Sequence, residues 1–305
     1  MSKKSTSPKV SAIVVGWMSE DYIEQCVTSL QRSNIPLDII VVDNHSPDKT
    51  GQKAKTFTGI TYIDSGDNLG YAGGINVGLA LAEKHHADYT FILNPDAYVA
   101  ANCVEKLLAV MEKDPTVGMT SPKIYYADSD KLWFAGATLD LKNGSSPHIG
   151  QGETDGPAFS KNSDIARASG CAMLVRMDAL PQVGYMYDLY FLYFEESDWS
   201  LQFKKAGYRI VFVADSHCWH VASTSTGGFF APLYQYYNTR NSLRLFRRFG
   251  ESSWTAFLFR HFINSGKRLL NVMRNRPRNT LKVARAMFLG YYDYSRNRLG
   301  RRLTF

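Results

Sequence analysis

The sequence predicts an α/β fold built on a parallel sheet and followed by a helical C-terminal extension. Three observations predict it. Short β-branched apolar runs alternate with stretches of helical apolar spacing over the first ~115 residues. The runs at 37–42 and 89–93 each end abruptly in an acid-containing turn, as expected of strands whose C-terminal tips open onto a ligand crevice. From Arg240 onward the alternation gives way to long amphipathic stretches.

The elements follow in order. Residues 10–15 read as a first strand, and Tyr22, Ile23, Cys26, Val27 and Leu30 recur as one face of a helix. Residues 37–42 form a second strand, stopped by the turn chemistry of Asp43-Asn44-His45-Ser46-Pro47-Asp48. A third strand at 60–63, a helix of small and apolar residues at 71–85 and a fourth strand at 89–93 come next, the last stopped by Asn94-Pro95-Asp96. Val104, Leu107, Leu108 and Met111 mark another helix. Residues 120–169, interrupted by Gly136, Gly144, Gly150, Gly152 and Gly156, read as an irregular β-rich extension with a β-prone piece at 131–139. Order returns with a strand at 169–176, a helix at 198–206 closed by Gly207, and a strand at 208–213.

Composition narrows the class. With 305 residues, 45% apolar and 13% aromatic, the chain can bury a large core. Its net charge of +7 is an average of two unlike parts. Residues 240–305 carry sixteen Lys/Arg against two acids, Glu251 and Asp293, which leaves 19 basic and 26 acidic residues before them. Such a tail suits an anionic partner. Lys3 and Lys4 are followed by Ser5, Thr6, Ser7 and Pro8 rather than an apolar run, and no stretch nears the roughly 18 apolar residues of a spanning helix, so a cytoplasmic chain is expected. Cys26, Cys103, Cys171 and Cys218 are scattered and expected to be reduced.

Three acidic clusters, one glycine-rich segment and a histidine carry candidate chemistry. Asp43 could accept hydrogen bonds from a ligand's ring N–H, or simply close a turn. Asp96 could hold a magnesium-like ion against phosphates, or start a helix. The segment from Asn68 to Asn76, with Gly70, Gly73 and Gly74, offers free backbone N–H groups to a phosphate at a helix start, or lets that helix pack closely on the sheet. It is neither a Walker loop nor a GxGxxG fingerprint, which argues against an oxidoreductase. Glu195-Glu196-Ser197-Asp198 puts three carboxylates behind the aromatic run Tyr190, Phe191, Tyr193, Phe194. One acid would suffice to cap a helix, and acids crowded beside an apolar wall acquire the raised pKa of a general base. His220 is a core histidine or a neutral imidazole ligand to the metal of Asp96.

Taken in this order and spacing, Val41-Val42-Asp43-Asn44-His45-Ser46-Pro47-Asp48, Asn68-Leu69-Gly70-Tyr71-Ala72-Gly73-Gly74, Leu93-Asn94-Pro95-Asp96, Ser169-Gly170-Cys171-Ala172-Met173-Leu174 and Tyr193-Phe194-Glu195-Glu196-Ser197-Asp198 resemble family 2 inverting glycosyltransferases. The likeness is to the rhamnosyltransferase-like branch that builds bacterial surface polysaccharides. Gly207-Tyr208-Arg209, His220 and Tyr237-Asn238-Thr239-Arg240-Asn241 extend it over residues 9–242. Three positions depart from the pattern: Asn94 leaves a single acid in the metal motif, Glu195-Glu196 stands where Glu-Asp is usual, and Gly16-Trp17-Met18 replaces Thr-Tyr-Asn.

The resemblance implies a GT-A fold over residues 1–239, with a nucleotide-binding half at 9–115 and an acceptor-side half at 116–239. It implies donor contacts at Asp43, Asn44, Asn68, Gly73, Gly74, Asn94 and Asp96, a divalent cation (Mg2+ or Mn2+) on Asp96 and His220, and catalytic acids at Glu196, Glu195 and Asp198, with Glu196 in the base position. The expected reaction transfers L-rhamnose from dTDP-rhamnose to a glycan or polyprenyl-diphosphate-linked acceptor; UDP-galactofuranose, a UDP-hexose or a non-catalytic glycan-binding role are the alternatives. A nucleotidyltransferase would carry a glycine- and lysine-rich loop where Val14-Val15-Gly16-Trp17-Met18 stands. The tail's basic sets, Arg240/Arg244/Arg247/Arg248, Arg260/Lys267/Arg274 and Arg278/Lys282/Arg285, each share a helical face and interleave with aromatic and leucine residues. An anionic membrane at the cytoplasmic face is therefore the expected partner, rather than nucleic acid.

Overall fold

The structure, a computed structural model, describes residues 7–222, 228–250 and 252–302. Lys3, Lys4, Ser5, Thr6 and Glu251, named above, lie outside the described residues. The nucleotide half forms as its apolar pattern dictates: β1 (Val10–Gly16), α1 (Ile23–Gln31), β2 (Asp38–Asp43), α2 (Thr50–Ala54), β3 (Ile60–Asp64), α3 (Gly70–Lys84), β4 (Tyr89–Leu93), β5 (Ala97–Val99) and α4 (Cys103–Lys113). Strands β3, β2, β1 and β4 lie side by side in parallel register, with Val14 opposite both Val41 and Leu93. Strands β1 and β4 are buried along their whole length, which is why they read as unbroken apolar runs. Helix α1 buries Ile23, Cys26, Val27 and Leu30, the stripe its spacing predicts.

The rest of the chain is β6 (Val117–Tyr126), β7 (Leu132–Phe134), β8 (Ser163–Asp164), β9 (Ala172–Arg176), α5 (Leu180–Val183), α6 (Glu195–Lys205), β10 (Arg209–His220), α7 (Pro232–Phe249), α8 (Trp254–Asn275) and α9 (Thr280–Ser295). The sheet order is β3-β2-β1-β4-β9-β6-β10-β5, with β7 against β6 and β8 against β10. Because β9 runs antiparallel to β4 and β5 antiparallel to β10, the sheet is mixed. No helix among the described residues is long and apolar enough to cross a membrane.

Two expectations are corrected. Residues 117–126, expected largely as irregular chain, are a ten-residue strand inside the sheet. Gly118 and Pro122 disguise it. A side chain at Gly118 would sit 2.6 Å from Phe203 and 2.8 Å from Tyr208, so helix packing demands glycine there. Pro122, which has no N–H to give, lies where the pairing with β10 slips between Val213 and His217. That same slip explains the second difference. The strand expected at 208–213 continues past the bulge to His220 and pairs His220 with Ala97.

The tail is a three-helix layer in which α7 runs unbroken across residue 240 and packs mainly on α9. Gly290 permits this, because a Cβ there would lie 2.9 Å from the Tyr236 carbonyl. Three members of the first basic set reach inward, Arg240 fully buried and Arg244 and Arg248 bonded to Tyr187 and Asp198, while Arg247 stays exposed.

Candidate active site

The candidate residues gather beyond the C-terminal ends of β2 and β4, where ligands bind in open α/β sheets. At the tip of β2 the buried Asp43 accepts hydrogen bonds from the Ser46 N–H (3.0 Å) and the Tyr62 hydroxyl (3.0 Å). Burial and this bond push the Tyr62 phenol above its ordinary range. Asn44 donates to the Gly70 carbonyl at 2.9 Å, which ties the β2 tip to the start of α3, while its buried Oδ1 has no partner among the described residues. An unsatisfied acceptor at a strand tip is the kind of group a ligand N–H completes. Asn68 caps the glycine-rich turn by accepting from the Gly70 N–H at 2.9 Å. Gly73 and Gly74 have a packing reason of their own: a Cβ would meet Leu69 at 2.7 Å and Val15 at 2.5 Å. Val15 lies on β1, so Gly74 lets α3 pack closely on the sheet, whereas Leu69 belongs to the start of the same helix.

At the tip of β4 the chain turns through Asn94-Pro95-Asp96. The Asn94 N–H donates to the Cys171 carbonyl (2.8 Å), and Leu93 pairs with Ala172, so this turn is stitched to the Ser169-Gly170-Cys171 turn. The continuation of β10 past its bulge brings His220 Nε2 to 3.2 Å from Asp96 Oδ1. Both side chains are close to buried, and the His220 ring packs edge-on to Trp133 at 4.5 Å, with its buried Nδ1 unpartnered among the described residues. An imidazole nitrogen and a carboxylate oxygen roughly 3 Å apart are donors that Mg2+ or Mn2+ would accept. The pair therefore fits the implied cation as two of its ligands, with oxygens of a diphosphate as natural further ones.

Across the Gly170 turn stand the glutamates. Glu195, Glu196 and Asp198 occupy the first turn of α6, where the helix dipole favours acids. Glu195 is buried, and its carboxyl is pushed up to about 8 by burial and by Glu196 alongside; backbone N–H groups of Glu195 and Tyr193 and the Arg167 guanidinium oppose this. Glu196 is the more open of the two, 3.6 Å from Arg167 Nη1, with its stem near Gly170, where a Cβ would lie 3.7 Å away. Tyr71 donates a short hydrogen bond to the Gly170 carbonyl. Glu196 is thus the more accessible carboxylate of the pair.

Asp198, expected beside them as a catalytic acid, is engaged on both oxygens. It is fully buried and bonded to Tyr190 (2.9 Å), Gln202 (2.7 Å) and Arg248 (2.6 Å), so it joins α6 to the tail instead of facing a substrate. Arg167 is the residue that sequence reasoning missed. It is anchored by Ser146 and the Ala168 carbonyl, and burial lowers its pKa while Glu196 and Glu195 hold it up. A lone arginine in a glycine-broken stretch gives no sequence signal.

The turn ahead of the glutamates is strained. Phe191 (φ 67), Tyr193 (φ 67) and Phe194 (φ 78) all lie in the left-handed region. Phe191 centres a γ-turn, with its ψ of −57 and the Leu192 N–H bonded to the Tyr190 carbonyl at 2.9 Å. Such residues cost roughly 1–3 kcal/mol each and persist only where surroundings impose them. Gly70 is one imposition, since a Cβ there would sit 2.4 Å from the Phe191 carbonyl.

Comparison with known proteins agrees with this geometry. The family model for Glycosyl transferase family 2 matches residues 11–184. The chain is 25% identical over 240 residues to the N-acetylglucosaminyl-diphospho-decaprenol L-rhamnosyltransferase of Mycobacterium tuberculosis, covering 70% of this chain and 76% of that one. It is also 25% identical over 252 residues to the rhamnosyltransferase WbbL of Escherichia coli K12, covering 75% and 89%. Among solved structures, GalNAc-T7 with UDP, GalNAc and Mn2+ matches with a TM-score of 0.64 at 15% identity, over 96% of this chain and 58% of that one. The mixed α/β sheet with C-terminal helices is the expected GT-A fold.

Proposed function

Because the chain belongs to glycosyl transferase family 2, we propose that it is an inverting hexosyltransferase of cell-surface polysaccharide synthesis, moving L-rhamnose from dTDP-rhamnose to a polyprenyl-diphosphate-linked or glycan acceptor. The names of the two relatives support the sugar, and that of the mycobacterial one supports the lipid-linked acceptor. The observation that carries the reading is the Ser169–Cys171 turn, with the Asp96–His220 pair stitched to one side and Glu196 on the other. A base and a diphosphate anchor flanking one turn are what a single displacement at an anomeric carbon requires.

In that reaction Glu196 accepts the proton of an acceptor hydroxyl as its oxygen bonds to the anomeric carbon and the bond to the nucleoside diphosphate breaks, inverting the centre. Arg167 holds the Glu196 carboxylate in place. Asp43, Asn44, Asn68 and the Gly73-Gly74 backbone line the donor side, and Asn94 shapes the turn that presents Asp96. A divalent cation, Mg2+ or Mn2+, held by Asp96 and His220 would supply electrostatic stabilisation of the leaving diphosphate. A panel of nucleotide sugars, run with chelator and with each metal added back, tests the assignment. Turnover of UDP-galactofuranose or a UDP-hexose in preference to dTDP-rhamnose would overturn the donor, and full activity in chelator would remove the cation.

The membrane reading rests on α8 and α9. Phe259, Phe262, Ile263, Leu270 and Met273 are exposed, Phe259 and Phe262 by about 70%, and their spacing sets them on one face of α8, opposite the buried Phe257, His261 and Val272. Arg260, Lys267 and Arg274 run along that stripe, and α9 adds exposed Leu281 and Phe288 with Lys282 and Arg285. Paired copies would bring these like charges together, whereas an anionic bilayer at the cytoplasmic face accepts both stripe and charge. On this reading residues 1–239 together with the rest of α7 form the catalytic body, and α8 and α9 dock. Flotation with anionic and neutral vesicles tests it: Phe259→Asp with Phe262→Asp should abolish retention by anionic lipid, and unchanged retention would sink the idea.

A further inference from the structure

The segment Tyr237-Asn238-Thr239-Arg240-Asn241 has no part in the reaction above, yet three of its side chains, Tyr237, Arg240 and Asn241, are buried against the strained turn. The Asn241 amide Nδ2 lies 3.1, 2.7 and 2.9 Å from the carbonyls of Tyr190, Leu192 and Tyr193. Arg240 Nε donates to Asn241 Oδ1 at 2.9 Å, which fixes the amide with its nitrogen toward those carbonyls. Its Nη2 donates to the Tyr190 carbonyl at 2.8 Å, and its Nη1 to the Gly300 carbonyl at 2.7 Å. Arg240 also lies 4.9 Å from the centre of the Tyr237 ring, and that ring stacks on Phe191.

We propose that Arg240 and Asn241 are positioning residues, which hold the backbone of residues 190–193 in its left-handed course and so fix where α6 begins and where Glu195 and Glu196 stand. The Tyr190 carbonyl takes one bond from within the turn, the Leu192 N–H, but the carbonyls of Leu192 and Tyr193 need donors from outside it. An arginine fork and an amide oriented by it supply them from α7, with the Tyr71 N–H bonding the Phe191 carbonyl (2.9 Å) from the donor side. The inference rests on the glycosyltransfer reading for the use of the glutamates, but the clamp itself does not.

Two measurements on the full chain test it. Hydrogen exchange of residues 190–196 needs no donor, so it reads the clamp even if the reaction is assigned wrongly. Asn241→Ala should speed exchange there, whereas Leu243→Ala, which removes packing against Phe246 and Phe257 on the same helix, should not. In turnover, Asn241→Ala should lower kcat at least about tenfold with donor affinity held within about twofold, because a misplacement near 1 Å is worth up to about a hundredfold. Arg240→Lys keeps the charge but lacks the fork, and should give a smaller loss of the same kind; it decides the matter if Asn241→Ala does not fold. Equal effects of Asn241→Ala and Leu243→Ala, or loss of donor affinity with unchanged kcat, would overturn the proposal.

Discussion

The half-sheet β3-β2-β1-β4 and the aromatic turn of residues 188–194 touch at Gly70, and they are built on opposite terms. In the half-sheet, side chains such as Ile13, Val41 and Phe91 are fully buried in extended backbone that suits them. The turn puts Phe191, Tyr193 and Phe194 where aromatic residues seldom go, and beside it lie a buried glutamate, a buried aspartate and the buried Arg240. The first region stores stability and the second spends it on the placement of charge. Proteins break local rules of this kind where function requires it.

That contrast predicts how each region responds to change. Glu196→Gln, nearly isosteric, should lower turnover at least about a hundredfold while leaving donor binding and melting temperature in place; retained turnover would break the contrast by removing the turn's chemical purpose. Gly78→Ala on α3 should do the reverse. Its Cβ would sit 2.6 Å from Ile13 Cγ2, and overpacking of roughly 1–3 kcal/mol outweighs the roughly 1 kcal/mol that alanine adds to a helix. The melting temperature should fall by a few degrees, read by calorimetry, with kcat per folded molecule unchanged.

Glu195→Gln sharpens the contrast further through pH. Because the folded carboxyl is raised to about 8, the folded protein binds more protons than the unfolded chain between about pH 4.5 and pH 8. Stability from this group is therefore complete below that window and declines as pH rises through it. Glutamine removes the decline, so the variant should melt higher than the parent at pH 8 and flatten the profile of melting temperature against pH. A parallel profile in both proteins would mean that Glu195 is not held protonated by its surroundings.

The half-sheet was legible because β1, β2 and β4 are buried on both faces and its helices carry single apolar stripes, so burial writes itself into the residue order. β6 was hidden for a physical reason: Gly118 and Pro122 serve a helix contact and a bulge that exist only once β10 and α6 have packed. The crowding of Glu195 and Glu196 could be read from adjacency, but the strand that carries His220 could not, because it reaches that residue only past the bulge. Arg167 could not, since its meaning depends on a carboxylate brought to 3.6 Å by the fold. Nor could the inward turn of Arg240, Arg244 and Arg248, because helical spacing reports which residues share a face and not what that face meets.

The bond from the Gly300 N–H to the Leu189 carbonyl (2.7 Å) has a consequence in time. Arg240 bonds the Gly300 carbonyl as well, and Arg301 reaches Asp67 at 2.8 Å, so residues made late close over a turn made much earlier. During synthesis at roughly 5–20 residues per second, the half-sheet can fold on the ribosome while the aromatic turn waits on the order of ten seconds for its partners. A nascent chain would thus set the tips of β1, β2 and β4 first and the place of Glu195 and Glu196 only near the end of translation.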